Sequence, residues 1–157
     1  MASCSINTPL GNAIITGDHL GIASVVINDA SSKNSSPIPS ELKDCVTQLS
    51  DYFEGKRKSF NLKLNPKGTA FQKKVWDALQ QIPFGKTSSY LELSKSLGDA
   101  KAIRAVANAN AKNPLWIIIP CHRIIGSNGS LTGYAGGLYR KQWLLNHESN
   151  ITQVSLF

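Results

Sequence analysis

The sequence predicts an α/β N-terminal domain over residues 1–66, a small antiparallel sheet plus a helix, followed by a mostly α C-terminal domain over residues 67–157 with a helix-turn-helix (winged-helix-like) layout. Three observations carry this. Short runs rich in Ile, Val and Ala open the chain, whereas apolar residues after Asn65-Pro66-Lys67-Gly68 recur at three- and four-residue steps. Two of the later helical segments are short and joined through a glycine. Charge divides near the same place: residues 1–54 hold two basic and six acidic residues, a balance of −4, and residues 55–157 hold 15 basic and four acidic, a balance of +11. That asymmetry suits an anionic partner for the second half, nucleic acid or a membrane surface, although a basic balance also serves solubility alone.

With 157 residues, 41% hydrophobic and 17% charged, the chain can bury a core, which excludes a wholly disordered protein. It contains no run of 18 apolar residues, and Met1–Gly11 lacks the charged and apolar regions of a signal peptide. The expectation is a cytoplasmic protein with no membrane partner. Cys4, Cys45 and Cys121 are spaced too widely for a zinc knuckle or a redox Cys-x-x-Cys pair, so they are read as thiols in a reducing compartment.

In chain order, Asn12–Thr16 and Leu20–Ile27 flank Gly17-Asp18-His19 and read as a hairpin, with His19 a solvated turn residue. Ser31–Ser40, rich in Ser and Pro, is a loop. Leu42, Cys45, Val46, Leu49, Tyr52 and Phe53 form one helical face with Ser40 as N-cap, which makes Cys45 a small core residue. Phe60, Leu62 and Leu64 alternate as a strand. Thr69 caps a helix with Phe71, Val75, Leu79 and Ile82 on one face, ended by Pro83-Phe84-Gly85. Ser89-Tyr90-Leu91-Glu92 has capping-box spacing and opens a helix stopped by Gly98; Asp99 caps the next, which ends near Asn113-Pro114. Lys101, Arg104 and Lys112 on that second helix, with no acid after its cap, favour nucleic acid.

The apolar run Leu115–Ile119 leads into Pro120-Cys121-His122-Arg123. A thiol is nucleophilic as thiolate, which imidazole and guanidinium neighbours favour and burial opposes. Gly126–Gly137 holds five glycines around Tyr134 and reads as a loop whose backbone approaches something closely. If His122 is a base for Cys121, a third group should orient it. Of the four acids after residue 55, Glu92 and Asp99 are taken by caps and Asp77 lies off its helix's apolar face beside Lys73 and Lys74. Elimination leaves Glu148, at the end of the last helix, where the helix dipole disfavours a negative charge.

Pro120-Cys121-His122-Arg123-Ile124, preceded by Asn113-Pro114 and followed by Gly133-Tyr134-Ala135-Gly136-Gly137-Leu138 and Lys141-Gln142-Trp143-Leu144-Leu145, resembles the O6-alkylguanine-DNA alkyltransferases, or methylated-DNA-protein-cysteine methyltransferases. The likeness is close from Gly68 to Glu148. It continues more loosely through Thr8-Pro9-Leu10-Gly11 and Tyr52-Phe53-Glu54-Gly55-Lys56-Arg57.

The resemblance implies a DNA repair protein in which the Cys121 thiolate takes the alkyl group from O6 of a guanine flipped out of double-stranded DNA, approached from the minor groove, with O4-alkylthymine as a further substrate. The thioether product has no easy leaving group, so each molecule acts once. By the same likeness His122 deprotonates Cys121 through a water, Glu148 holds His122, the Tyr90 hydroxyl donates to guanine N3, and Asn113 braces the turn before the active-site segment. Arg104 fills the space of the extruded base. Backbone groups of Cys121, Ile124 and Ala135 read the guanine edges. Tyr134, Arg123, Lys101 and Lys141 are further candidate contacts to substrate or DNA.

Two departures stand out: Ala135 replaces the Ser of some members, and Asp18 replaces a hairpin cysteine that in some members helps to hold zinc. No cofactor and no metal are expected, and the protein is expected to act as a monomer. Two rival readings remain. In one, a helix-turn-helix module binds DNA without catalysis and Cys121 is a core thiol. In the other, a Cys-His hydrolase attacks a carbonyl, but its nucleophile and base are not sequence neighbours in papain-like or caspase-like sites.

Overall fold

A computed structural model describes residues 1–29, 34–35, 37–126 and 137–154, with side chains through residue 149. It divides into two compact units, Met1–Lys67 with Pro114–Trp116, and Gly68–Asn113 with Ile117–Phe157.

The first unit is built on an antiparallel sheet of β1 (Ala2–Thr8), β2 (Gly11–Asp18) and β3 (Gly21–Asn28) in the order β1-β2-β3. The hairpin read from the sequence is β2-β3, and Asp18 Oδ1 accepts from the Leu20 amide at its tip. β1 is an element the sequence reading lacked. Its residues, ASCSINT, are mostly small and polar, and only Cys4 and Ile6 are buried. An open edge of β3 would leave backbone groups unpaired. Two extended segments take them up: Ile22 pairs with Leu64 and Val25 with Leu115 in isolated parallel bridges.

The helix α1 (Lys43–Phe53) follows a 3-10 turn at Ser40–Leu42 and buries Cys45, Leu49 and Tyr52. Ser40 does not cap it: the helix has no side-chain cap, and the Ser40 hydroxyl donates to Glu41. The strand expected over Phe60–Leu64 is reduced to the bridge at Leu64, because the buried Gln48 side chain occupies the backbone of Asn61 on both its donor and acceptor sides, at 2.9 and 3.0 Å.

The second unit begins with α2 (Ala70–Leu79), opened by a full capping box in which Thr69 and Gln72 each satisfy the other's backbone amide. Its inward face is Val75, Trp76 and Leu79; Phe71, expected on that face, is 40% exposed. Trp76 Nε1 donates to the Ala109 carbonyl at 2.9 Å. Gly68 is needed beside that indole, since a Cβ there would lie 2.5 Å from the ring.

A two-residue strand β4 (Ser88–Ser89) leads into α3 (Tyr90–Ser96), and the Ser89 hydroxyl caps it by accepting from the Glu92 amide. Gly98, at φ +90°, turns the chain toward α4 (Ile103–Ala111). The turn includes Asp99, which accepts from the Lys101 amide one turn before the helix, so Asp99 is a turn residue and the N-cap is Ala102. A further two-residue strand, β5 (Ile124–Ile125), pairs in parallel with β4. The helix α5 (Leu138–Val154) completes the unit. Among the described residues no helix is long and apolar enough to cross a membrane.

Candidate active site

Leu115–Ile119 is buried as expected, but it forms turns, and Ile117 has φ +70°. A β-branched residue is strained there. Two contacts hold the segment: the Asn113 carboxamide donates to the Ile119 carbonyl at 2.8 Å, and the Cys121 amide donates to the same carbonyl at 2.8 Å. Cys121, His122 and Arg123 then form one turn of 3-10 helix with all three side chains buried. The β4-β5 ladder ties the strand leaving this turn to the strand entering α3.

Glu148 is the centre of the buried polar group. Its Oε2 is 2.7 Å from His122 Nε2 and 3.0 Å from Arg123 Nη2, and its Oε1 is 2.8 Å from Arg123 Nε and 3.4 Å from the Gly85 amide. The sequence places Glu148 at a helix end; α5 runs on to Val154, so the side chain leaves the middle of the helix and is 1% exposed. What stabilises its charge is a bidentate guanidinium and an imidazole, not a helix terminus.

Burial would raise the Glu148 carboxyl, but the hydrogen bonds of His122 and Arg123 and the charge of Arg123 outweigh it and hold the group well below the ordinary carboxylate range. Burial holds the His122 imidazole below its ordinary value; Glu148 pulls the other way, and Arg123 and Lys141 side with burial. The arrangement is therefore a neutral imidazole on a carboxylate whose permanent positive partner is Arg123. A neutral ring that donates from Nε2 to Glu148 carries its lone pair on Nδ1. That atom is buried and has no hydrogen-bond partner among the described residues.

Lys141 is fully buried on α5. Burial pushes its ammonium group's pKa down, and the electrostatic influence of Cys121 pulls it back up. Such coupling is mutual, so a charged Lys141 favours the Cys121 thiolate. Arg123, expected to touch substrate or DNA, has Nε and Nη2 on Glu148 and Nη1 on the Ile82 carbonyl at 2.7 Å, with its guanidinium 5.8 Å from the Phe84 ring centre. Three of its five N–H donors are thus used within the protein.

Ile124 is buried on β5. Tyr90 is half-buried at the first position of α3, and its hydroxyl lies 3.5 Å from Asn110 Nδ2, a neighbour the sequence reading did not single out because it depends on how α3 and α4 pack. Lys101, in the turn before α4, and Arg104, in the first turn of α4, are both exposed. Tyr134 and Ala135 lie outside the described residues. Among the described residues no group of three or more His, Cys, Asp and Glu is placed to hold a metal ion.

The sequence matches two family descriptions, "6-O-methylguanine DNA methyltransferase, ribonuclease-like domain" over residues 3–66 and "6-O-methylguanine DNA methyltransferase, DNA binding domain" over residues 70–150. A curated relative from Methanosarcina acetivorans, named methylated-DNA–protein-cysteine methyltransferase, is 45% identical over 150 residues, covering 91% of this chain and 95% of that protein. Among solved structures, the Mycobacterium tuberculosis protein OGT in complex with DNA superposes with a TM-score of 0.85 at 39% identity, covering 94% of this chain and 92% of that one. An O6-methylguanine DNA methyltransferase from Methanococcus jannaschii gives a TM-score of 0.68 at 29% identity, with 92% of each chain covered. The chain belongs to the 6-O-methylguanine DNA methyltransferase family.

Proposed function

We propose that the protein is a DNA repair methyltransferase that reverses O6-alkylguanine, and O4-alkylthymine, by a single irreversible transfer to Cys121 after the base is flipped from the duplex. The observation that carries this reading is the buried His122 whose Nε2 is held by Glu148 at 2.7 Å, which leaves Nδ1 as the proton acceptor next in sequence to a cysteine. His122 Nδ1 takes the thiol proton through a water, and Lys141 offsets the thiolate charge. The sulfur then attacks the alkyl carbon in line: the S–C bond forms, the C–O6 bond breaks, and its electron pair stays on guanine. Tyr90 donates to N3 as that charge develops. The proton taken from Cys121 equals the one guanine needs to become neutral, so the step balances without a cofactor.

Arg123 acts here by holding Glu148, and Asn113 by bracing the carbonyl before Cys121. Arg104 and Lys101 supply the DNA-facing side, with Arg104 entering the stack where the base has left. The backbone at Ile124 and Ala135, with Tyr134, would line the guanine edges. The protein is read as acting as a cytoplasmic monomer on double-stranded DNA.

The test is incubation with duplex DNA carrying labelled O6-methylguanine. One label per protein on Cys121 is expected; repeated turnover or no transfer overturns the proposal. A non-catalytic DNA-binding module would behave the same with Cys121→Ser as without it. Arg104→Ala should slow repair of duplex about tenfold, the effect of one lost contact, while sparing attack on the free base; equal losses on both refute its role in the stack.

A further inference from the structure

Asn110 is a polar exception on a buried face. It lies in the last turn of α4, 4% exposed, beside the core residues Val106 and Ala109. Its Nδ2 approaches the Tyr90 hydroxyl at 3.5 Å, and its Oδ1 is buried with no hydrogen-bond partner among the described residues. A buried carboxamide with an unused acceptor is unfavourable, and an apolar side chain of similar size would fill the same place without that penalty. Packing alone therefore does not account for an Asn here.

Both ends of the Asn110–Tyr90 contact are fixed by their backbones. The carbonyl next to Asn110 accepts from Trp76 Nε1 at 2.9 Å, which pins the end of α4 to α2. Tyr90 opens α3 under the Ser89 cap, and its own carbonyl accepts from the Ser94 hydroxyl at 2.7 Å. The two side chains thus meet from two anchored helices. In the orientation present, Asn110 donates and the phenol accepts, so the phenolic hydrogen is left for another acceptor. A hydroxyl that accepts one hydrogen bond becomes a better donor of the next.

We infer that Asn110 is a positioning residue for the transfer: its carboxamide aims the Tyr90 hydroxyl at the departing guanine and polarises it as negative charge builds on the base. The inference rests on Tyr90 donating to N3, as proposed above. It adds a second layer to that contact. Asn110 itself touches no reacting atom.

The test is a double-mutant cycle on the single-turnover rate, with Asn110→Leu, Tyr90→Phe and the pair, each checked for folding by Tm. Asn110→Leu should slow transfer from O6-methylguanine about tenfold, the effect of one such hydrogen bond. The pair should be no slower than Tyr90→Phe alone, because the carboxamide acts only through the phenol. Losses that multiply, or an Asn110→Leu protein at the wild-type rate, overturn the inference. If Tyr90→Phe itself transfers at the wild-type rate, the Tyr90 reading fails and Asn110 falls with it, whereas a slow Tyr90→Phe beside an unimpaired Asn110→Leu removes Asn110 alone. Because Asn110 shares α4 with Arg104, the rates are also measured on the free alkylated base. The Asn110→Leu loss should persist there; a loss confined to duplex would mean that only the DNA-facing side of α4 was disturbed. The same cycle with Asn110→Ala serves if Leu does not fit the site.

Discussion

Cys45 and Cys121 are both buried thiols, and almost nothing else about them agrees. Cys45 lies on α1 in the first unit among Leu42, Leu49 and Tyr52, with no exposed surface, and burial, with a smaller contribution from the Cys4 thiol, pushes its pKa up to about 12. Cys121 opens a 3-10 turn in the second unit, followed by a buried imidazole and guanidinium and within electrostatic reach of a buried ammonium group. Burial alone silences a thiol. The second unit instead buries Glu148, His122, Arg123 and Lys141 in the same unit as Cys121, and the proposed transfer requires that the positive charges among them favour its thiolate.

The largest effect should come from exchanging sulfur for oxygen at the two places. Cys121→Ser is expected to abolish alkyl transfer while leaving duplex binding intact, and Cys45→Ser is expected to leave transfer at the wild-type rate. Transfer surviving in Cys121→Ser, or lost in Cys45→Ser despite a folded protein, would break the contrast.

Next comes the carboxylate. Glu148→Ala would leave a buried guanidinium and imidazole without their acceptor, a loss of about 3–5 kcal/mol by the usual behaviour of broken buried pairs. Urea denaturation should read this directly, and transfer should slow with it. Glu148→Gln keeps the shape and one acceptor, so its stability loss should be the smaller of the two. A Glu148→Gln protein as stable as the parent would mean that the charge of Glu148 is irrelevant to the fold.

How much of this contrast was legible in the sequence differs between its parts. Glu148 could be singled out because only four acids follow residue 55, and it does meet His122 at 2.7 Å. Its place in mid-helix could not be seen, since residues 149–154 carry no strong apolar pattern to extend the helix. Local chemistry was readable where it is self-contained, as in the Thr69–Gln72 capping box. It misled where a neighbour intervenes: Ser40 is drawn to Glu41, Asp99 to a turn, and Asn61 to the side chain of Gln48. The sequence suggests a DNA contact for Arg123, and nothing in a linear chain tells that three of its guanidinium donors are turned to Ile82 and Glu148. The Tyr90–Asn110 contact spans 20 residues and exists only once two helices have packed.

Acidification should divide the two units by a smaller margin. His122 is held below its ordinary value, so the unfolded chain binds its proton first, and stability is lost as pH falls from about 6.5 toward the folded value. Glu148 is also held down, so its contribution is complete above the ordinary carboxylate range and is lost as pH falls below it. Both act in the same direction. Tm should fall between pH 7 and pH 5, and His122→Asn should remove that part of the fall while leaving the part at lower pH. A variant with an unchanged profile would place the buried titration elsewhere.

The smallest effect concerns Cys45 as packing. Cys45→Ala removes one buried sulfur from an apolar face without exposing a polar group, so the stability loss should be about 1 kcal/mol, the centre of the range for single substitutions. Transfer should be untouched. The same thiol gives a sharper reading through its reactivity, because a raised pKa leaves little thiolate at neutral pH and the side chain has no solvent-exposed surface. A thiol-directed maleimide added to native protein at pH 7.5 should label Cys121 well before Cys45, and pre-alkylation by O6-methylguanine DNA should block the fast site alone. Cys45 labelled at the rate of Cys121 in folded protein would show that the apolar face opens as readily as the polar one, and the distinction between a silenced and an activated thiol would then lie in motion instead of surroundings.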